Sequence, residues 1–249
     1  MRLLFFFLCI MAANNLFCQP PGGSNTQFHV RPYLLFDKTI DKHFSSVPAT
    51  GFIPGLQLAA SQERNNLLLE VSMRYGKGTL SFSEKKQLRI SKSLLTATAS
   101  ILYKLNRREE TGSDLHAGLM IDFVRADKEY SDLINFNTSF ETIASTSLVG
   151  DYMIKIGSNR PVSFRNRAFI AILSMYRQPV FGSSVASDSW SVGSIGEVNK
   201  WGDRFSVCKA ITERLNLGLG YTWEYYRLNS ERETISSMHS LSIEILFKL

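Results

Sequence analysis

The residues of this 249-residue chain with the clearest potential for chemistry lie around His239. Three serines, Ser236, Ser237 and Ser240, are within three positions of it. A histidine that contacts a serine can act as its general base in acyl transfer. The same composition is also common in polar loops with no catalytic role. The sequence therefore indicates a candidate nucleophile and base without showing that they meet.

His116 is the second candidate, because it shares one face of its predicted strand with Asp114 and Asp122 and could form an acid–base pair with either. Nothing beyond the shared face supports this pairing. The histidines are dispersed and lack the spacing of metal ligands, so we expect neither a metal nor a cofactor. Once the predicted export signal is removed, Cys208 is the single cysteine, which excludes an internal disulfide.

These candidates fall in segments that alternate strictly between apolar and polar residues. From Leu215 to Tyr225 every odd position carries Leu, Tyr or Trp, and Leu241 to Leu249 repeats the pattern after a polar link. Such period-2 alternation is the signature of a strand with one apolar and one polar face. A tilted strand of about 9–11 residues can cross a bilayer. The C-terminal segment therefore predicts a transmembrane β-hairpin.

Eight earlier segments are predicted as strands, although the second and eighth alternate weakly and the seventh is apolar on both faces, which gives ten strands in all. They are Phe28–Phe36, Phe52–Ala60, Leu67–Tyr75, Leu88–Leu105, Leu115–Phe123, Ala144–Ile156, Arg165–Arg177 and Arg204–Thr212. Longer polar links follow the odd strands and shorter ones the even strands, as expected for external loops and periplasmic turns. Eight strands would remain if the weak second and eighth were misread, and twelve if the long loops contained more.

Charged residues on the polar face of these strands should point into a lumen. They are Arg31, Glu70, Arg74, His116, Asp122, Asp151, Lys155, Arg167, Glu224 and Glu244. Side chains fill the interior of a small barrel, and buried charges must be paired, so we expect an internal ion-pair network. The alternative is a charged constriction that selects ions or solutes.

Aromatic residues near the strand ends on the apolar face are expected to form membrane-interface girdles. They are Tyr75, Tyr103, Phe123, Tyr176, Tyr221, Trp223 and Tyr225. The seventh strand is apolar on both faces, and there we expect Tyr176 to point outward and Phe169, Leu173 and Met175 to point inward. Trp190 and Trp201 fall in a predicted long loop, where they could belong to a binding surface or a plug.

Residues 1–18 have the form of a secretory signal peptide, with a positive residue, a short apolar run and a polar boundary. We place the cut after Cys18, although Ala12-Ala13 offers an earlier one. Bulky Phe17 before Cys18 fits a lipid-anchor motif badly. Residues 19–26 would then be a periplasmic leader and 27–249 the barrel. The net charge of +6 is dispersed, which argues against a nucleic-acid partner.

The export signal, the alternation of long and short links and the closing strand resemble the small outer-membrane β-barrel proteins of Gram-negative bacteria. The resemblance covers nearly all of the chain after the signal. It implies an all-β, antiparallel up-and-down transmembrane barrel in the cell outer membrane, in contact with its lipids and lipopolysaccharide. That family usually ends on an aromatic residue, whereas here Phe247 is third from the end and Leu249 closes the chain.

The resemblance implies a fold and leaves the activity open. A structural or accessory role in an envelope complex is one function, a narrow pore for small solutes or ions is another, and an outer-membrane hydrolase is the third. His239 resembles the His-x-Ser array of lipid A deacylases, but Leu241 stands where serine is needed. His116 with an aspartate resembles the acid–base pair of omptin proteases. We expect the accessory role over a general pore, because ten strands enclose little lumen, and no enzyme, because neither histidine motif is complete.

Overall fold

The structure, a computed structural model, describes residues 25–42, 45–82, 89–106, 112–131, 138–158, 160–178, 190–194, 196–229 and 233–249. The predicted signal peptide and most of the predicted leader lie outside the described residues. The strands are β1 Asn25–Asp41, β2 Ser45–Arg64, β3 Leu67–Phe82, β4 Arg89–Lys104, β5 Ser113–Tyr130, β6 Thr138–Ile156, β7 Val162–Arg177, β8 Ser191–Ser194, β9 Val198–Ala210, β10 Leu215–Leu228 and β11 Thr234–Lys248. No helix in these ranges is long and apolar enough to cross a membrane.

The strands form one closed antiparallel sheet. From β1 to β7 each strand pairs with the next one in the chain, β9, β10 and β11 do the same, and β1 pairs with β11 to close the ring. Both β8 and β9 pair with β7, β9 along its first half and β8 near its end. They therefore act as one strand interrupted between Ser194 and Val198. The prediction of a ten-stranded up-and-down barrel is confirmed.

The strands extend beyond their predicted bounds at the end of the barrel that lies away from the chain termini. The predicted loop between the first two strands shrinks to residues 42–44, because β1 continues to Asp41 and β2 begins at Ser45. At the opposite end β2 and β3 are joined by two residues, and Asn65 takes a positive φ of 55°, as a tight hairpin turn requires. We call the half of the barrel near the chain termini, which includes the turn between β2 and β3, the basal zone. The other half, where β1 ends and β2 begins, is the distal zone.

The two zones place their apolar side chains on opposite faces of the same strand. In β3 the outward Leu67, Leu69 and Tyr75 are about half exposed, whereas further along the inward Leu80 and Phe82 are buried. Since side chains alternate between faces, the apolar set has moved from outside to inside. The outward apolar run from Leu67 to Tyr75 has the length that a tilted strand needs to span a bilayer. We therefore assign the basal zone to the membrane.

The core lies inside the distal zone. Tyr33 belongs to it, and its ring lies where β2 and β3 carry Gly55 and Gly76. A Cβ at Gly76 would come within 2.6 Å of the Tyr33 hydroxyl oxygen, so these glycines leave the space that the ring fills. Nine of the eleven strands, all except β7 and β8, contribute members to this distal core, and β7 packs Tyr176 against it. Its members are Tyr33, Leu35, Ala49, Ile53, Leu80, Phe82, Ile90, Leu94, Val124, Ala126, Tyr130, Ile143, Val198, Tyr226, Leu228 and Met238, with Val47 and Tyr176 packed against them.

A β-bulge in β7 corrects the predicted faces of that strand. Thr146 pairs with Leu173 and Ser147 with Ala171, so Ile172 is the extra residue. An extra residue shifts the alternation by one position. As a result Leu173 and Met175 point outward, and the prediction that they fill the lumen is wrong.

The same shift turns Tyr176 inward onto the distal core, so it is not part of the outer girdle. Trp201 is also misplaced by the sequence, since it lies in β9 and not in a loop. Its ring meets that of Trp223 edge-on at 4.4 Å between centroids and that of Tyr225 at 5.7 Å. These rings lie on the outer face near the limit of the basal zone, where an interfacial girdle belongs.

Candidate functional site

The basal interior contains a four-residue ion cluster contributed by three strands. Asp151 of β6 pairs in register with Arg167 of β7, and Glu70 reaches them from β3 across the lumen. Arg167 contacts Glu70 at 2.9 Å and Asp151 at 2.7 Å, and Arg165 contacts the same carboxylates at 3.2 and 2.5 Å. Two guanidiniums thus face two carboxylates, which balances the charge of the cluster.

A second group of charges lies beside it on β1, β9 and β11. Arg204 Nη2 binds Glu244 Oε1 at 2.6 Å, and Arg31 Nε lies 3.5 Å from the other carboxylate oxygen. Arg31 is almost completely buried and donates to His29 Nδ1 at 2.9 Å. The Cys208 thiol lies 3.7 Å from Glu244, enclosed by the same group. Together the two groups fill the lumen near the middle of the basal zone.

Between these charges and the distal core lies a cavity of about 80 Å³. Its wall carries two further ion pairs, Arg74–Glu224 at 2.7 Å and Lys200–Asp122. Within the described residues, Arg74 Nε and Asp122 Oδ1 have no hydrogen-bond partner although both are buried. A polar cavity of this volume holds a few water molecules, which can satisfy such atoms. It is too small for a sugar or a nucleotide.

The distal interior combines the apolar core with two more buried ion pairs. Lys92 Nζ donates to Asp37 at 2.6 Å, and both side chains are inaccessible to solvent. Lys128 pairs with Glu141, which also accepts a hydrogen bond of 2.9 Å from the Tyr226 hydroxyl. Burial and the neighbouring carboxylate raise the pKa of Tyr226 well above its usual range, so it stays protonated and donates.

Comparison with solved structures gives the same architecture. The outer-membrane protease OmpT of Escherichia coli superposes with a TM-score of 0.52 at 6% identity, covering 92% of this chain and 97% of that one. The Neisserial surface protein A matches at 14% identity with a TM-score of 0.43, over 89% and 97% of the two chains. The Ail protein of Yersinia pestis matches at 8% identity with a TM-score of 0.40, over 90% and 99%.

The fold is that of an outer-membrane β-barrel. No protein-family model matches the chain, and no curated protein matches it in sequence. At these identities the similarity concerns the fold alone, so what OmpT does is not carried over by it.

The predicted lumen charges occupy defined places in this barrel. Inside it lie Arg31, Glu70, Arg74, His116, Asp122, Asp151, Arg167, Glu224 and Glu244. Lys155 is different, because it stands at the basal rim, half exposed and 3.7 Å from Asp114. Arg177 of β7 is carried outward by the bulge in that strand, and its guanidinium lies 5.4 Å from the Phe140 ring centroid.

Several interior charges were missed by the sequence reading. Lys92, Lys128 and Glu141 belong to the distal zone, where the sequence pattern resembles loops and not spanning strands. Arg165 and Arg204 belong to the basal zone and share the inner face with residues that were predicted. Both are the first residues of the seventh and eighth predicted strands, so assigning the inner face from the first residue onward would have found them.

The structure does not assemble the His116 acid–base pair. His116 is buried opposite Asp151 on the neighbouring strand. Asp122 is six residues further along β5, about 20 Å at the rise of an extended strand, and is held by Lys200. Asp114 is paired with Lys104 at the rim.

His239 is brought close to one of its predicted serines, on the outer face of β11. Ser237 Oγ lies 3.4 Å from His239 Nε2, and the Tyr221 hydroxyl lies 2.7 Å from Nδ1. Ser236 and Ser240 point inward, and Ser236 donates to Asp37. Among the described residues, no group of three or more His, Cys, Asp or Glu side chains could hold a metal ion.

Proposed function

We propose that this protein is an integral outer-membrane barrel with a structural or accessory role in an envelope complex and that its lumen does not conduct. The observation that supports this most directly is the apolar core across the distal lumen. Leu35, Ile53, Leu80 and Leu94, on four successive strands, are at most 1% exposed. An open channel would leave a ring of such side chains wetted on its inner side.

The paired charges of the basal zone also support a lumen that does not conduct. A selective pore needs charged groups that a passing ion can reach. Here Glu70 and Asp151 are each held by two arginines, and Arg74 by Glu224, so their charges are already neutralised. The space between the two closures is the 80 Å³ cavity, and the buried apolar core lies on its distal side.

The distal zone supports an accessory role because it forms a folded wall beyond the membrane-spanning band. Its outer face is polar, with Arg125 held by Asp127 at 2.9 Å. The guanidiniums of Arg125 and Arg177 lie 5.6 and 5.4 Å from the Phe140 ring centroid. Short turns lie on the periplasmic side of such barrels, so the distal zone would face the cell exterior. Delivery there agrees with the predicted signal peptide.

Planar-bilayer recording of the refolded full chain tests the closed lumen. We expect no single-channel steps for the wild-type chain, because the distal core leaves no continuous water path. A quadruple glycine variant of Leu35, Ile53, Leu80 and Leu94, if it still inserts, should show steps. Steady conductance of the wild-type barrel would overturn the closed lumen and favour the narrow pore.

Crosslinking in native membranes followed by pull-down tests the accessory role separately. We expect the chain to co-purify with specific envelope proteins after a mild crosslinker. Recovery of the barrel alone at every crosslinker concentration would contradict an accessory role and leave a purely structural one.

A further inference from the structure

One patch of the outer wall, where the basal and distal zones meet, combines hydrogen-bond donors with a cation. We call Lys38, Tyr221, Trp223, Ser237 and His239 the junction patch. We propose that it binds the phosphorylated, net anionic headgroup of an outer-leaflet lipid whose acyl chains lie along the apolar band below. This inference rests on the proposed membrane location and adds a partner at a defined place.

Strand register brings the five side chains together. Trp223 of β10 is directly opposite His239 of β11, and Lys38 of β1 is directly opposite Ser237. All five stand on the outward face, since their strands turn the intervening residues inward. Directly opposite residues have Cβ atoms about 4.5–5.5 Å apart, so one small headgroup can touch several of them.

The polar groups of the patch are held in place by one another. The Tyr221 hydroxyl lies 2.7 Å from His239 Nδ1, and the Trp223 indole donates to Ser237 Oγ at 3.4 Å. The Trp223 and His239 rings are stacked, with 28° between their planes. A phosphate oxygen can accept from the hydroxyl, indole and imidazole groups by replacing these mutual hydrogen bonds. A fixed arrangement lowers the entropy that binding would cost.

Lys38 supplies the charge that selects an anion. Its neighbours Lys42 and Arg227 share one carboxylate, that of Glu233, so these three side chains together carry a net charge of +1. Lys38 is exposed and has no carboxylate within ion-pair distance in the part of the chain that the structure describes. An outward carboxylate on this side is Asp203, which lies beyond Trp223 and accepts a hydrogen bond from Asn166. A phosphate at Lys38 therefore meets a net positive surface.

The wall below the patch fits acyl chains. Leu34, Leu219, Leu241 and Ile243 are 48, 69, 66 and 53% exposed, and Leu241 is opposite both Leu34 and Tyr221. Apolar side chains this exposed are stable only against other apolar groups. A soluble phosphate would gain nothing from them, whereas a phospholipid contacts the donors and the leucines at once. The geometry therefore favours a lipid over free phosphate.

Quenching of tryptophan fluorescence by brominated lipids in vesicles tests the proposal, because Trp223 lies in the patch. We compare brominated phosphatidylglycerol with brominated phosphatidylcholine for the full chain, for Lys38→Gln and for the matched control Lys77→Gln, an exposed outward lysine on β3. One lysine near an anionic surface is worth about 1 kcal/mol, or about fivefold in relative affinity. We expect a preference for phosphatidylglycerol that falls about fivefold in Lys38→Gln and stays unchanged in Lys77→Gln.

The outcomes separate this proposal from the proposed function. A chain that inserts, with its folded form intact on unboiled gels, but shows no lipid preference would overturn the junction patch alone. Equal losses in Lys38→Gln and Lys77→Gln would also overturn it, because they would reflect the general surface charge. Free inorganic phosphate that abolishes the preference at millimolar concentration would contradict a lipid ligand. A chain that fails to insert at all would instead overturn the membrane location.

Discussion

The basal and distal zones are built from the same strands, but their apolar side chains lie on opposite faces: outside in the basal zone and inside in the distal zone. In β5, Leu119 and Ile121 point outward and are half exposed or more, while Val124 and Ala126, a few residues on, point inward and are buried. The alternation of side chains is continuous through both zones. What changes is the medium outside the wall, which we assign to lipid around the basal zone and to water around the distal zone. The medium decides which face carries the apolar residues.

The interiors differ in the same sense. The basal charges form a network beside a polar cavity, and some of them remain partly accessible, such as Arg165 at 21% and Arg204 at 18% of the side chain. The distal ion pairs are surrounded by apolar side chains, and Lys92 and Asp37 are fully buried. Charge pairs of similar geometry therefore have different surroundings in the two zones. The basal pairs lie beside a cavity that can hold water, and the distal pairs lie among apolar side chains.

The largest predicted effect comes from breaking a dry pair. Lys92→Met leaves Asp37 charged in the distal core with only hydroxyl donors, and should lower the free energy of unfolding by about 3–5 kcal/mol. Arg74→Met leaves Glu224, whose side chain is 15% exposed and lines the cavity, so its cost should be clearly smaller. Urea-induced unfolding in lipid vesicles measures both.

A double variant tests further whether the distal interior is dry and the basal interior is wet. Replacing both partners, Lys92→Met with Asp37→Leu, should recover most of the loss, because an apolar pair of similar volume is often neutral or better in a dry site. If Arg74→Met costs as much as Lys92→Met, the contrast between a wet and a dry interior is wrong.

The next effect tests the outer faces. Leu219 is 69% exposed in the middle of the apolar band, so Leu219→Arg should cost about 2–4 kcal/mol and slow insertion. Thr79 is an exposed outward residue of the distal zone, and Thr79→Arg should change stability by less than about 1 kcal/mol. Folding yield and urea unfolding of the two variants in vesicles measure the difference. Equal losses would show that both positions face the same medium.

The sequence predicts the basal zone well because lipid imposes a strict rule on it. Each spanning segment must present apolar residues on one face, so Leu67–Tyr75 and Leu115–Phe123 are recognisable from alternation alone. In the distal zone the phase of the alternation is reversed and the outward residues are Lys, Thr and Ser, as in Lys77 and Thr79. That composition is typical of loops, and the distal strands were therefore predicted as loops.

The pairing of the interior charges could not be predicted from the sequence, for a different reason. Glu70 and Arg167 lie on strands that are far apart in the ring, and they meet only because both reach across the lumen. Which residues share a level depends on the strand tilt and on the stagger of the whole ring, which no local pattern encodes. The sequence thus predicts that the interior is charged and paired, and the ring geometry decides the pairs.

The smallest predicted effect concerns the bulge at Ile172, where the alternation of inward and outward residues along β7 shifts by one position. With the bulge, Ser174 is buried against Ser145 Oγ at 3.1 Å, and Leu173 is 51% exposed. Ser174→Leu should therefore overpack the wall and cost about 1–3 kcal/mol, whereas Leu173→Ser should cost less than about 1 kcal/mol. An uninterrupted strand would give the opposite order, because Leu173 would be inside. Urea unfolding of both variants decides between the two registers, and a larger loss in Leu173→Ser would remove the bulge and restore the predicted faces of β7.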